Sequence, residues 1–219
     1  MIAKLITKSK ITGDFFNNDF FYSLTYSDEH IIAALARISK GKGSETISED
    51  PLKLIEYLLI NQHWSPFEMI DYTFFIETSI AISKQLIRHR SFVFQELSRR
   101  YSKRNIFFED IEIENNEKNK ECQEIIKNIE DLTIKAYGEL LENDVDYEQA
   151  RFLLPQHTQT HLYMKGSLRS WLTFLLQRDT KLAQKEIRII AADIKNELRN
   201  HVPNIIEIFY NINKDVFSK

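Results

Sequence analysis

One α+β domain, a mixed or antiparallel sheet flanked by helices, is the fold predicted for this chain. Three observations carry that expectation. The 219 residues are 43% hydrophobic and 12% aromatic, enough to fill a core and too apolar for a disordered chain. Segments with helical spacing of apolar residues alternate with two aromatic and β-branched runs. No internal repeat or linker divides residues 1–219, so they read as a single domain.

The elements follow in order. A first helix is expected from Ser27 through Ile38, with Ser27 as cap and Asp28 and Glu29 favouring the positive end. Gly41 and Gly43 break it. A second helix is expected after Ser48, with Glu49, Asp50 and Pro51 in its first turn, running through Leu52, Leu54, Ile55, Leu58 and Leu59. Its exit delivers His63 and Ser65 to a loop. Tyr72–Thr78 reads as strand, and Ser79–Ile87 as a short helix ending at Arg88-His89-Arg90. Residues 112–127, rich in Glu, Asn and Lys, read as a surface insertion leading into an amphipathic helix that ends near Glu142. Thr158–Met164 is a second core strand. Ser167–Gln177 and Lys181–Arg199 have helical spacing, and Pro203 marks a break before a final helix.

The densest chemistry lies at 88–101, where Arg88, His89, Arg90, Ser98, Arg99 and Arg100 gather in a chain whose net charge is −3. Such a cluster suits an anionic ligand, and guanidinium forks suit phosphate or the carbonyl edge of a flat heterocycle, so a nucleotide is the natural candidate. The structural alternative is a solvated, salt-bridged face. Phe92, Val93, Phe94 and Leu97 between the arginines argue against full exposure, so some of these arginines should line a pocket or interface. A helix C-terminus favours cations, which accounts for part of Arg88-His89-Arg90 but not for Arg99, Arg100 and Arg104.

Composition excludes several classes. The acidic balance and pI near 6.1 argue against a general nucleic-acid binder. No stretch is long and apolar enough for a signal peptide or membrane span, and one cysteine, Cys122, allows no disulfide within the chain. A soluble, cytoplasmic protein is expected. Gly41-Lys42-Gly43-Ser44 lacks P-loop spacing, and no GxGxxG occurs, so a dinucleotide would be held by side chains. His157 and His161 are four apart without the zincin glutamate, and His63 with Glu68 lacks a third ligand, so no metal is expected. Cys122 sits in a polar stretch without the electropositive setting that activates a thiol.

Arg88-His89-Arg90, seven residues, then Ser98 resembles the RHR-x7-S signature of the flavin-dependent thymidylate synthases. Four other segments agree in order with that family: Ala36-Arg37-Ile38-Ser39, His63 through Glu68, Ala150 through Pro155, and Gly166-Ser167-Leu168-Arg169-Ser170-Trp171 through Arg178. The resemblance implies reductive methylation of dUMP to dTMP, with 5,10-methylenetetrahydrofolate as one-carbon donor and NADPH-reduced FAD as hydride source, releasing tetrahydrofolate. It also implies a homotetramer whose sites are assembled from several subunits.

Residue by residue, the resemblance places dUMP against Gln85, Leu86, Ile87, Arg88, Glu96, Leu97, Ser98, Arg99, Arg100, Arg151 and Arg178, with Arg100 and Arg151 for its phosphate. It places FAD against Ser39, Ser65, Glu68, Arg88, His89, Arg90, Glu96, Ser167, Leu168, Arg169 and Thr173. Arg178 is the catalytic choice, a fixed guanidinium that stabilises negative charge at N3 and O2 of the uracil. Ser98 has no identifiable base and reads as a hydrogen-bonding ligand. Gln95, Ser167, Thr173 and Leu182 depart from the family pattern, Leu182 standing where a histidine is frequent. Two rival readings are a catalytically inactive nucleotide-binding relative and, from the 88–104 cluster with its aromatics, a nucleic-acid-binding module.

Overall fold

The computed structural model describes residues 1–10, 27–40, 51–101, 105–111, 113 and 119–218. The elements run β1 (Ile2–Lys8), α1 (Asp28–Arg37), α2 (Leu52–Ile60), α3 (Ser65–Glu68), β2 (Asp71–Ser79), α4 (Ile80–Leu86), β3 (Val93–Glu96), α5 (Asn119–Glu142), α6 (Tyr147–Ala150), β4 (Gln159–Ser167), α7 (Leu168–Arg178), α8 (Lys185–Arg199), α9 (Pro203–Ile212) and α10 (Lys214–Phe217). Short 3₁₀ turns extend α1 and α6. The four strands form one antiparallel sheet in the order β1-β2-β4-β3, an α+β architecture.

The chain divides into two compact units. One comprises Met1, Glu77–Arg88 and Gln95–Leu162; the other comprises Ile2–Ile76, His89–Phe94 and Tyr163–Lys219. The division cuts the arginine-rich motif between Arg88 and His89.

The larger unit is organised around α7 and α8. Helix α8 buries Ile187, Ile190, Ala191, Ile194 and Leu198, one stripe at helical spacing, and packs on β1, where the Ala3 amide donates to Asp193 at 3.2 Å. Trp171 of α7 is fully buried, packs edge-on against Phe74 at 4.8 Å and donates its indole N–H to the Tyr72 carbonyl at 3.1 Å.

Asp28 and Glu29 do more than complement their own helix. Asp28 accepts from the Tyr72 hydroxyl at 2.6 Å and from Lys8 at 3.1 Å. Buried Glu29 accepts from the Asn204 and Ile205 amides, at 2.7 and 3.0 Å, and from the Asn204 side chain at 2.8 Å, so it caps the start of α9 from 175 residues away. A carboxylate receiving helix-terminal N–H groups satisfies both the charge and the donors.

The smaller unit has α5, α6 and a modest apolar cluster of Tyr137, Ala150 and Leu154, with Ile106, Leu140, Leu141 and Val145 against it. Its part of the sheet joins α4 through Ile80 N–H to Thr158 O at 3.0 Å and Ala81 N–H to Gln156 O at 2.9 Å.

Several expectations need correction. Ser27 precedes α1, but its hydroxyl pairs with His30 Nδ1 at 2.8 Å rather than with a backbone amide. Pro51 is the cap of α2 rather than a first-turn residue, and Ser65 opens the short helix α3 instead of lying in a loop. Helix α5 begins at Asn119, inside the expected insertion, and α8 begins at Lys185, four residues after Lys181. The break expected at Pro203 is present between Arg199 and Pro203, and Pro203 opens α9, its missing N–H being harmless at that position, but α9 is not the final helix because α10 follows it. Gly166 and Ser167 close β4, and the late helix starts at Leu168. The strands β1 and β3 were not anticipated. The expected breaks at Gly41 and Gly43, the Gly41–Ser44 segment, the Ser48–Asp50 helix start, Arg104, and residues 112 and 114–118 of the insertion lie outside the described residues.

Candidate active site

In the larger unit, α7 presents two cations. Arg178, its last residue, donates Nε–H to His89 Nε2 at 3.0 Å. His89 packs edge-on against Phe174 at 5.1 Å and Phe92 at 6.2 Å. Burial, reinforced by the Arg178 charge, lowers the imidazole from its ordinary value to about 4, so it is neutral near pH 7. Because Nε2 is the acceptor, the ring proton belongs on Nδ1. The neutral ring thus fixes the guanidinium plane without cancelling its charge.

Arg169, on the first turn of α7, forms a 2.5 Å ion pair with Glu68 of α3 and lies 5.7 Å over the Trp64 ring. Ser167 caps α7 by accepting from the Ser170 amide at 3.3 Å, and Thr173 donates back to the Arg169 carbonyl at 3.0 Å. Leu168 is fully buried and its amide donates to the Ile70 carbonyl at 2.8 Å. Arg90 is exposed.

Gly166 explains how this arrangement closes. A Cβ there would lie 2.5 Å from a Phe92 ring carbon, and Phe92 packs on Trp171 at 4.5 Å as well as on His89. Only hydrogen permits that approach.

A cavity of about 450 Å³ in the same unit is lined by Leu35, Ala36, Ile38, Ser39, Leu58, His63, Ser65, Pro66 and Met69. A left-handed turn delivers His63 to it. Gln62 has φ 55°, with Gln62 N–H to Leu59 O at 3.2 Å and His63 N–H to Leu58 O at 2.8 Å, the double bond of a Schellman helix end. Two hydroxyls and an imidazole on an apolar wall suit a flat heterocycle with a polyhydroxyl chain, and the cations of α7 suit its phosphates. The donor set therefore fits a flavin dinucleotide.

In the smaller unit a cavity of about 540 Å³ is lined by Glu77, Leu97, Arg99, Asn105, Phe107, Gln159, Thr160 and His161. Arg99 donates to the Gln159 carbonyl at 2.9 Å, and Glu96 accepts from the buried Thr160 hydroxyl at 3.2 Å. Ser98 accepts from the Arg100 amide at 3.3 Å. Arg100 sends Nε and Nη2 to one oxygen of Glu148, at 3.2 and 2.9 Å, while Arg151 donates to the Glu148 backbone carbonyl at 3.3 Å. The side-chain hydrogen bond to Glu148, with lesser contributions from Tyr101 and the Glu148 charge, pushes the Arg100 guanidinium above its ordinary value. Gln85 and Arg88 lie at and beyond the end of α4 with Ile87 exposed, whereas the Leu86 side chain is fully buried and leaves only its backbone for a ligand.

The division of the chain thus sorts the expected residues. Those assigned to dUMP fall in the smaller unit except Arg178, and those assigned to FAD fall in the larger except Arg88 and Glu96. Glu148 and Trp64 were missed as partners, although Glu148, three residues before Arg151, had the spacing of a helical neighbour. His157 pairs with Glu130 at 3.0 Å and stacks on Phe108 at 4.9 Å. Among the described residues no three His, Cys, Asp or Glu side chains converge as metal ligands, and no helix is long and apolar enough to cross a membrane. Leu182 is 83% exposed between α7 and α8.

Known proteins are similar to this sequence over most of its length. The family model of the thymidylate synthase complementing proteins matches residues 22–204. A flavin-dependent thymidylate synthase of Synechocystis sp. is 36% identical over 196 residues, covering 82% of this chain and 88% of its own. One from Thermus thermophilus is 34% identical over 188 residues, covering 80% of this chain and 69% of its own. Another, from Thermosipho africanus, is 32% identical over 197 residues, with 83% and 86% covered. The chain belongs to the thymidylate synthase complementing protein family, the family of the flavin-dependent thymidylate synthases.

Proposed function

We propose that this chain is an FAD-dependent methyltransferase that converts dUMP to dTMP, taking its one-carbon unit from 5,10-methylenetetrahydrofolate and releasing tetrahydrofolate. The observation that carries the reading is the Arg178–His89 pair, a cation held at the end of α7 by a neutral imidazole among aromatic rings. A guanidinium in that setting stays charged, and its orientation is set before substrate arrives.

Arg178 stabilises the negative charge that develops at N3 and O2 as the uracil ring is polarised, and His89 holds it there. Arg100 and Arg151 bind the nucleotide's phosphate, while Gln85, Leu86, Ile87, Arg88, Glu96, Leu97, Ser98 and Arg99 complete the dUMP contacts. Ser39, Ser65, Glu68, Arg88, His89, Arg90, Glu96, Ser167, Leu168, Arg169 and Thr173 hold FAD, hydroxyls toward its ribityl chain or adenosine and cations toward its pyrophosphate. Bound FAD, reduced by NADPH, supplies the hydride chemistry that none of these side chains provides. Residues 1–219 act as one catalytic domain within a homotetramer whose subunits share sites, in the cytoplasm, with neither nucleic acid nor membrane as partner.

The test is the visible spectrum of the purified protein under anaerobic conditions, followed by NADPH with and without dUMP, and then methylenetetrahydrofolate. Bands at about 370 and 450 nm that bleach with NADPH, and dTMP as product, are expected. A colourless protein that added FAD cannot reconstitute would overturn the reading. Bound dUMP without NADPH oxidation would instead mark an inactive relative.

A further inference from the structure

The two arginines assigned to phosphate share one carboxylate-bearing residue. Arg100 places two N–H groups on Glu148 Oε2, at 3.2 and 2.9 Å, and Arg151 places its Nε–H on the Glu148 carbonyl at 3.3 Å. Glu148 lies in α6 and Arg151 begins the 3₁₀ turn that continues it, so one turn of backbone carries both. Ala150 and Leu154 anchor that turn in the apolar cluster with Tyr137. The ion pair itself is at the surface, with the Arg100 and Glu148 side chains 46% and 50% exposed.

An exposed ion pair is weak and exchanges readily. A phosphate monoester carries up to two charges and three strong acceptor oxygens, more than one carboxylate oxygen offers. We propose that Glu148 is a displaceable internal counter-ion, competing with the phosphate of the bound nucleotide for Arg100 and thereby setting the affinity for that phosphate. This rests on the dUMP reading above. A phosphate that takes the Arg100 Nε and Nη2 donors displaces them from Glu148 Oε2, while the backbone bond to Arg151 keeps the second guanidinium beside it. The carboxylate also repels the incoming anion, so its charge opposes binding twice.

The test is Glu148→Gln, which keeps the amide oxygen as acceptor and removes the charge. Dissociation constants are measured for dUMP, inorganic phosphate and uncharged deoxyuridine at low and high salt. The expected result is tighter binding of dUMP and phosphate, by about two- to fivefold at low salt, a gain that shrinks as salt rises. Deoxyuridine is unmoved, and the gain disappears in an Arg100→Ala background. Unchanged or weaker phosphate binding, or an equal gain for deoxyuridine, overturns the proposal. If the parent chain binds phosphate but not dUMP, the nucleotide reading fails while the phosphate arm still decides the role of Glu148; if it binds neither, both fail.

Discussion

Arg178 and Arg100 are the same side chain in opposite settings. Arg178 ends a core helix, meets a neutral imidazole and shares its surroundings with Phe92 and Phe174. Arg100 stands half in solvent, on a carboxylate carried by a short turn over a small cluster. Water screens the second and much less the first, so an equal charge acts more strongly at Arg178. On the proposed reading, the larger unit would stabilise a developing charge and the smaller one would catch and release a whole anion.

The strongest way to break that contrast is Arg178→Ala, expected to lower kcat by roughly 10²–10³-fold, as for loss of a preorganised donor; a change confined to KM for dUMP would put Arg178 in the same class as Arg100. Arg100→Ala or Arg151→Ala should instead raise KM for dUMP by about ten- to a hundredfold, the range for hydrogen bonds to a charged group, and leave FAD retention intact. Loss of flavin from either variant would dissolve the division of labour.

Gly166→Ala tests whether the proposed catalytic cation, Arg178, depends on core packing. The added methyl collides with Phe92, so stability should fall by about 1–3 kcal/mol in denaturant titration, and kcat should fall with it because Phe92 also walls His89. Retained kcat in the folded fraction would separate the cation from the core. Acid provides a milder probe. The folded His89 titrates near 4 against an ordinary 6.5, so the unfolded chain takes the proton first. Its stabilising contribution is complete above about pH 6.5 and is lost as pH falls toward 4, visible as a declining melting temperature that His89→Phe flattens.

The smallest effect compares two helix ends. Gln62 and Asp144 both adopt positive φ, 55° and 60°, in similar Schellman turns, one in each unit. Aspartate tolerates that conformation better than glutamine does. Gln62→Gly should therefore stabilise by about 1 kcal/mol and Asp144→Gly by less, and equal gains would show that the local side chain is irrelevant.

Much of the helical framework was legible because its periodicity is strong. In α8 the stripe from Ile187 to Leu198 marks the helix without further information. Strands β2 and β4 were legible from their aromatic and β-branched runs. Strand β1 was not, since Ile-Ala-Lys-Leu-Ile-Thr-Lys has no apolar/polar alternation in its sequence and only Ala3 of it is buried. Strand β3 is four residues long inside a cluster dominated by arginine. At the site, residue types pointed toward an anionic ligand as an expectation, but pairing was invisible. Nothing local says that Arg178 meets His89, 89 positions earlier, or that Gly166 exists to admit Phe92.

The clasp of Glu29 on the amides of Asn204 and Ile205 has a consequence for how the chain is made. Synthesis runs from the amino end at about 5–20 residues per second, so the carboxylate emerges roughly ten seconds or more before its donors exist. Until then α1 carries a charge that cannot be buried in its final place without a severe penalty. The larger unit therefore completes itself only after Asn204 and Ile205 have been made, and a nascent chain stalled before Asn204 should remain a client of chaperones rather than a folded intermediate.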